Sequence, residues 1–104
     1  MKKVNLFEAG NFKPENLSRL LVHDSPYFKI LNFNFEPGQE LPIHSHEIEG
    51  QVCILILEGE GEFLSSGPPQ PARAGDVLVC DIAEPHGLKA ATRLRSLVTI
   101  APPI

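Results

Sequence analysis

The chain has 104 residues, of which 42% are hydrophobic and 21% charged, and its net charge is −4 at pH 7. This size and balance predict a single domain over residues 1–104. Nucleic-acid surfaces need clustered Lys and Arg, whereas the basic residues here are scattered and outnumbered by acidic ones, which excludes that class. No segment approaches the ~20 apolar residues that span a bilayer, and no apolar signal region follows the basic N-terminus. We therefore expect a cytoplasmic protein without a membrane partner.

The first part of the chain predicts an extension followed by two strands. Residues 1–18 are mixed and polar, and we expect an N-terminal extension or edge strand with a helical turn near residues 14–17. Short strands are predicted over 19–22 and 27–35. In the second strand Leu31, Phe33 and Phe35 alternate with Asn32 and Asn34, which indicates one apolar face and one polar face.

The remaining strands are shorter or uniformly apolar. Residues 51–58 include six consecutive apolar side chains, which predicts a strand covered on both sides. The proline-rich stretch 65–72 is predicted to be a loop, and 77–82 and 94–100 two further buried strands. With the extended segments at 41–46 and 62–64, the count is seven to nine strands and little helix. An all-β barrel or sandwich is therefore expected, with its core over residues 27–100.

Three histidines carry the strongest chemical pattern. His44 and His46 are two apart, so their side chains point the same way if residues 43–47 are extended. His86 lies forty residues further on, in a second glycine-marked segment that begins at Gly75. Three imidazoles brought together in this way can bind one metal ion. Two half-exposed strand histidines are the alternative, and His23, which fits neither segment, is expected at a surface turn.

The two histidine segments resemble the two motifs of the cupin superfamily, small β-barrels of the jelly-roll type. Gly38, five residues, His44, one residue and His46 match the first motif. The glutamate that follows in that motif is replaced by Gln51, and Gly59 comes one residue late. In the second motif Gly75 and His86 keep their spacing, but its proline, glycine and asparagine are replaced.

The resemblance implies that His44, His46 and His86 bind a divalent metal ion, which is Fe, Mn, Ni or Zn. Gln51 is the candidate fourth ligand if a β-bulge corrects its register. In the other register Val52 points inward and Gln51 faces away. Glu47 and Glu49 are the weaker carboxylate alternatives, both expected in solvent.

Three functions fit such a site. The first is a small dioxygenase-type metalloenzyme acting on a chelating organic substrate, because no general base is evident among the pocket-side candidates Gln51, Cys53 and Asp81. The second is a non-catalytic module that binds or senses a small ligand. The third is a barrel without metal. Asp81 is also a candidate to orient an imidazole or to cap a turn.

The apolar strands also predict an assembly. The segments 52–57, 77–79 and 100–104 carry more apolar surface than one small barrel must bury, so we expect a homodimer that packs sheet against sheet. Cys53 and Cys80 lie inside these apolar runs and are expected to be buried, reduced thiols. Arg93 and Arg95 share a face that is either solvated or in contact with an acidic substrate or partner.

Overall fold

The computed structural model describes all 104 residues, and its regular secondary structure consists almost entirely of strands. One short helix, α1 (Leu6–Ala9), precedes them. No helix in it has the length and apolar character needed to cross a membrane. The strands are β1 (Ser18–Asp24), β2 (Lys29–Phe35), β3 (Glu40–His44), β4 (Gln51–Glu58), β5 (Glu60–Ser65), β6 (Gln70–Arg73), β7 (Val77–Asp81), β8 (His86–Ala90) and β9 (Leu94–Ala101).

The nine strands form two antiparallel sheets. The five-stranded sheet has the order β1-β2-β9-β4-β7, and the four-stranded sheet has the order β3-β8-β5-β6. Neighbours in a sheet are distant in the chain, since β9 lies between β2 and β4 and β8 lies between β3 and β5. This topology confirms the predicted all-β jelly roll. It adds β6, which begins inside the predicted loop 65–72, and β8, for which no bounds were predicted.

The core fills the space between the two sheets. In β4 the buried side chains alternate with half-exposed or exposed ones, so Val52, Ile54 and Ile56 point inward. Within a single chain only the inner face of β4 is filled, so the chain itself does not supply the cover predicted for the second side of this strand. On β7 the side chains of Val77 and Val79 are 57% and 59% exposed.

The N-terminal segment differs from its prediction. The helix lies at residues 6–9 rather than 14–17, because Asn5 caps it by accepting hydrogen bonds from the backbone N–H groups of Phe7 and Glu8. The segment then crosses the outer face of the five-stranded sheet. There the Asn34 amide donates to the backbone carbonyl of Asn11 at 2.9 Å, and Asn32 and Asn34 are both 1% exposed. The polar face of β2 is buried beneath this cover.

Candidate metal centre

The three motif histidines lie together in the structure. His44 ends β3 and is the cross-strand partner of His86, which begins β8. Their ring centroids are 4.5 Å apart, and the ring of His46 lies 5.8 Å from that of His44. A register shift between Leu41 and His44 precedes this pair. The pairing of β3 with β8 thus brings together imidazoles from both glycine-marked segments.

Backbone carbonyls orient two of these rings. The Nδ1 of His44 lies 2.9 Å from the carbonyl oxygen of Pro42, and the Nδ1 of His86 lies 2.6 Å from that of Glu84. A carbonyl oxygen only accepts hydrogen bonds, so each Nδ1 carries the proton. In the neutral ring the Nε2 then keeps its lone pair, which is the form in which histidine binds a metal.

His86 is the buried member of the set, with 5% of its surface exposed. Burial lowers the pKa of His86 below its ordinary value of 6.5, and the neighbouring His44 and His46 lower it further. The hydrogen bond to the Glu84 carbonyl acts in the opposite direction. The neutral, metal-binding form of this imidazole is therefore favoured near pH 7.

The donor chemistry fits a metal ion, although the side chains are not yet arranged around one. No group of three or more histidine, cysteine, aspartate or glutamate side chains is positioned to hold a metal ion. His46 is exposed and its ring has no hydrogen bond, so it can turn toward the other two imidazoles. The residues themselves supply three imidazole nitrogens, a set that suits Fe, Ni, Zn and Cu.

Gln51, the candidate fourth ligand, does not lie with the three histidines in this structure. It is exposed at the start of β4, on the face opposite to Val52, and its amide donates to an Asp81 carboxylate oxygen at 3.4 Å. No bulge shifts the pairing of β4 with β7 at this point. Strand alternation therefore turns Val52 toward the histidines and Gln51 away from them.

The other polar candidates also lie outside the group. Glu47 and Glu49 are exposed, and Glu49 borders a separate shallow cleft with Gln51 and Asp81. Asp81 does not contact an imidazole. Its backbone N–H donates to the Glu84 carboxylate at 3.1 Å, and its carbonyl accepts from the Glu84 N–H. Asp81 therefore stabilises the turn before His86.

A cavity of about 320 Å³ opens beside the three histidines. Its wall is largely apolar, and no aspartate or glutamate side chain lines it. Two cationic side chains, Arg19 and Lys29, do line it, and neither was among the site residues predicted from the sequence. Its apolar lining consists of Leu31, Phe33, Leu41, Val52, Ile54, Val98, Ile100 and Ile104.

Both cysteines are free thiols, as expected, but they are half-buried rather than buried. Cys53 points away from the cavity, because it shares the outer face of β4 with Gln51. Cys80 lines a second cavity of about 340 Å³ that His86 separates from the first. Burial raises the pKa of the Cys80 thiol above 9.0, and the nearby Glu84 and Asp81 carboxylates raise it further.

The remaining candidates have structural contacts of their own. His23 lies on β1 with its ring 4.8 Å from that of Phe28. Arg93 and Arg95 form ion pairs with Glu36 and Glu58 and lie over the rings of the N-terminal segment. Both arginines therefore hold that segment in place.

Comparison with known proteins identifies this architecture. A family model described as the cupin domain matches residues 31–100. The chain is 38% identical over 91 residues to a protein of Thermotoga maritima named oxalate-binding protein, covering 85% of this chain and 74% of that protein. These matches span both histidine segments.

Solved structures agree with the family match. An RmlC-like cupin protein from Desulfovibrio desulfuricans is 53% identical, with a TM-score of 0.96 over 100% of this chain and 99% of the other. An uncharacterized conserved protein with a double-stranded β-helix domain, from Klebsiella pneumoniae, shares the fold at 21% identity. Its TM-score is 0.89 over 98% of this chain and 90% of the other. The resemblance seen in the two motifs is confirmed, and the chain belongs to the cupin family.

Proposed function

We propose that this protein binds a small anionic, chelating organic ligand at a divalent metal ion held by His44, His46 and His86. The observation that carries the proposal is the lining of the cavity. It contains three imidazoles together with Arg19 and Lys29, and no aspartate or glutamate side chain. The relative named oxalate-binding protein supports it, because oxalate is a small chelating dianion. The ion is Fe, Mn, Ni or Zn.

The chain's own residues have defined roles in this proposal. The carbonyls of Pro42 and Glu84 hold two imidazoles with Nε2 free. Val52 and its apolar neighbours exclude water from the wall, which strengthens electrostatic attraction in the cavity. The metal ion would supply positive charge and open coordination positions. With three neutral ligands and no side-chain carboxylate on the cavity wall, that charge favours an anionic chelator.

A second candidate is a dioxygenase-type enzyme acting on the same class of ligand. Three imidazoles without a carboxylate leave about three positions of a six-coordinate iron open, enough for a chelating substrate and dioxygen. The cavity lining holds no side-chain carboxylate, cysteine or tyrosine for acid–base chemistry. Oxygen consumption by the iron-loaded protein, measured with a panel of thiols and diketones, separates this candidate from a binding protein, which would consume none.

The metal site is tested by equilibrium dialysis followed by elemental analysis. We expect the wild-type protein to retain one divalent ion per chain and His44→Ala to lose at least about tenfold in affinity. His23→Ala is the matched control, because His23 lies outside the cluster against Phe28, and it should bind like wild type. Full metal occupancy in His44→Ala would show that the proposed site is wrong.

Ligand binding is tested by titration calorimetry with oxalate. We expect binding to the metal-loaded protein and a loss of most of it after the metal is removed with a chelator. Acetamide, which is neutral, serves as the matched control ligand and should not bind. Equal binding of oxalate with and without metal would contradict a metal-centred site.

We also propose that the protein is a homodimer. The outer face of the five-stranded sheet carries an uncharged patch of Val77, Val79, Cys53 and Leu55, which are cross-strand neighbours on β7 and β4. The two valines are more than half exposed. A patch without charge is complementary to its own copy, and packing two of them would remove apolar surface from water.

A further inference from the structure

The inner face of the five-stranded sheet has an ordered pattern of charge. Cross-strand partners on β1, β2, β9 and β4 form rows whose side chains point into the barrel, and successive rows along a strand are two residues apart. Three rows border the cavity. They consist of Lys29, Ile100 and Val52 in row one, Leu31, Val98 and Ile54 in row two, and Arg19 and Phe33 in row three.

The histidines lie at the row-one end of this surface. The backbone N–H of His46 donates to the Ile82 carbonyl at 3.2 Å, and the Ile82 N–H donates to the Gly50 carbonyl at 3.0 Å. Gly50 in turn lies against Ala101, the residue after Ile100. The metal site and Lys29 therefore share one end of the barrel, and Arg19 belongs to the other end of the cavity.

The two cations stand at opposite ends of the surface. Lys29 and Phe33 are four residues apart on β2, which is about 13 Å in an extended strand. The Arg19 guanidinium lies 5.2 Å from the centroid of the Phe33 ring, so it marks the Phe33 end. Neither cation forms an ion pair with a carboxylate side chain, and Lys29 donates only to the backbone carbonyl of Ile104.

Between the two cations the wall is formed by aliphatic side chains alone. Leu31, Val98 and Ile54 make up row two, and nothing in that row can hydrogen-bond to a ligand. A bare dianion the size of oxalate would satisfy the histidine end and leave the aliphatic row and Arg19 without a partner. The order along the cavity is thus cation, hydrocarbon, cation.

We propose that the ligand of this cavity is an elongated dianion, with a chelating anionic head at the histidines and Lys29, a hydrocarbon segment along row two, and a second carboxylate at Arg19. This inference rests on the proposed function for the head group. It adds the hydrocarbon segment and the second anionic group. Arg19 is then the residue that selects a dicarboxylate over a monocarboxylate.

The experiment keeps the chelating head constant and varies the rest of the ligand. Calorimetry on metal-loaded protein compares glycolate, α-hydroxyhexanoate and α-hydroxyadipate, which are the head alone, the head with a hydrocarbon chain, and the same chain with a terminal carboxylate. Each CH₂ buried against row two should tighten binding about fourfold. The terminal carboxylate should add about tenfold through Arg19.

The variant Arg19→Gln isolates the second anionic group. It should weaken α-hydroxyadipate about tenfold and leave glycolate and α-hydroxyhexanoate unchanged. Arg73→Gln, at an exposed position on β6 away from the cavity, is the matched control and should leave all three affinities unchanged. A merely structural Arg19 would instead change all three affinities equally, or none.

The possible outcomes distinguish failure of the elongated-ligand inference from failure of the proposed function. If glycolate binds in a metal-dependent way and neither the chain nor the terminal carboxylate adds affinity, the elongated ligand is overturned and the proposed function stands. An equal effect of Arg19→Gln on all three ligands also overturns the inference. If none of the three ligands binds to the metal-loaded protein while oxalate does, the inference is overturned and the proposed function stands; if oxalate also fails to bind, both proposals are wrong.

Discussion

His86 is buried, and its burial disfavours the protonated, charged form of its imidazole. In the metal-free protein its pKa lies below 6.5, mainly because of burial. As the pH falls, the His86 imidazole is therefore protonated near pH 6.5 in the unfolded chain and only at a lower pH in the folded chain. The contribution of this group to the free energy of unfolding is constant above pH 6.5 and declines as the pH falls through the folded pKa.

We predict that NMR titration of the metal-free protein assigns His86 a midpoint below 6.5. In urea unfolding, His86→Gln should lose stability less steeply than wild type as the pH falls below 6.5, because the variant lacks this proton uptake. A midpoint for His86 at or above 6.5 would contradict the assignment.

Cys80 is predicted to be a slow nucleophile. Burial, followed by the charges of Glu84 and Asp81, raises the pKa of its thiol above 9.0, so little thiolate exists at neutral pH. In Cys53→Ser protein, which leaves one thiol, alkylation by iodoacetamide at pH 8 should be slower than for a model peptide. Its rate should rise with pH through a midpoint above 9.0. Urea-unfolded protein is the control and should react like the peptide, whereas equal rates in the folded state would refute the prediction.

At the residue level the proximity of the three histidines could be anticipated, whereas the orientation of Gln51 could not. The two-residue spacing of His44 and His46 needs only strand alternation, and the motif spacing adds His86. Whether Gln51 or Val52 faces inward depends on the register at the start of β4, and a shift of one residue exchanges the two faces. Six consecutive apolar residues contain no alternation from which to read that register.

The connection between β4 and β5 depends on a glycine that no other residue can replace. Gly59 has a φ of +90°, and a Cβ added there would lie 1.9 Å from the carbonyl oxygen of Arg93. Gly75 has nearly the same backbone, with φ of +94°, but open space around it. At both positions a residue with a Cβ would be strained by the positive φ, but only at Gly59 would its Cβ also collide with the backbone.

We predict that Gly75→Ala lowers the free energy of unfolding by about 1 kcal/mol, the cost of a left-handed conformation for a residue with a Cβ. Gly59→Ala should lower it by about 3 kcal/mol or more, because the backbone must also move away from Arg93. Urea denaturation of both variants measures the difference. Equal losses would show that the chain at Gly59 relaxes without cost.

Elements with regular patterns were more predictable than those defined by contacts between distant parts of the chain. The alternation in β2 correctly separated Phe33 and Phe35 from Asn32 and Asn34. That both asparagines are buried follows from the N-terminal segment that covers them, and its position depends on Asn11 and on Arg95 of β9. The local pattern contains no information on such a cover.

For the molecule as a whole, the jelly-roll class followed from strand count and the two motifs, whereas the cavity did not. Lys29 falls on the inner face of β2 by alternation with Leu31, so a sequence signal for it exists. Arg19 reaches the cavity only because β1 pairs with β2 in the register that places it opposite Phe33. That register joins residues fourteen positions apart and includes a bulge after Leu21, which sequence periodicity does not encode.

The uncharged patch on the outer face of the five-stranded sheet is the proposed dimer interface. Val77 and Val79 are 57% and 59% exposed on β7, an edge strand. A stable interface of standard size buries about 800 Å² per partner, which requires the patch to extend across β4.

We predict that sedimentation velocity gives a dimer for wild type and a monomer for the Val77→Lys, Val79→Lys double variant, because two buried ammonium groups in each partner would repel. Gln70→Lys, an exposed position on the edge strand β6 of the other sheet, is the matched control and should remain dimeric. A double variant that is folded and still dimeric would place the interface on another face of the barrel.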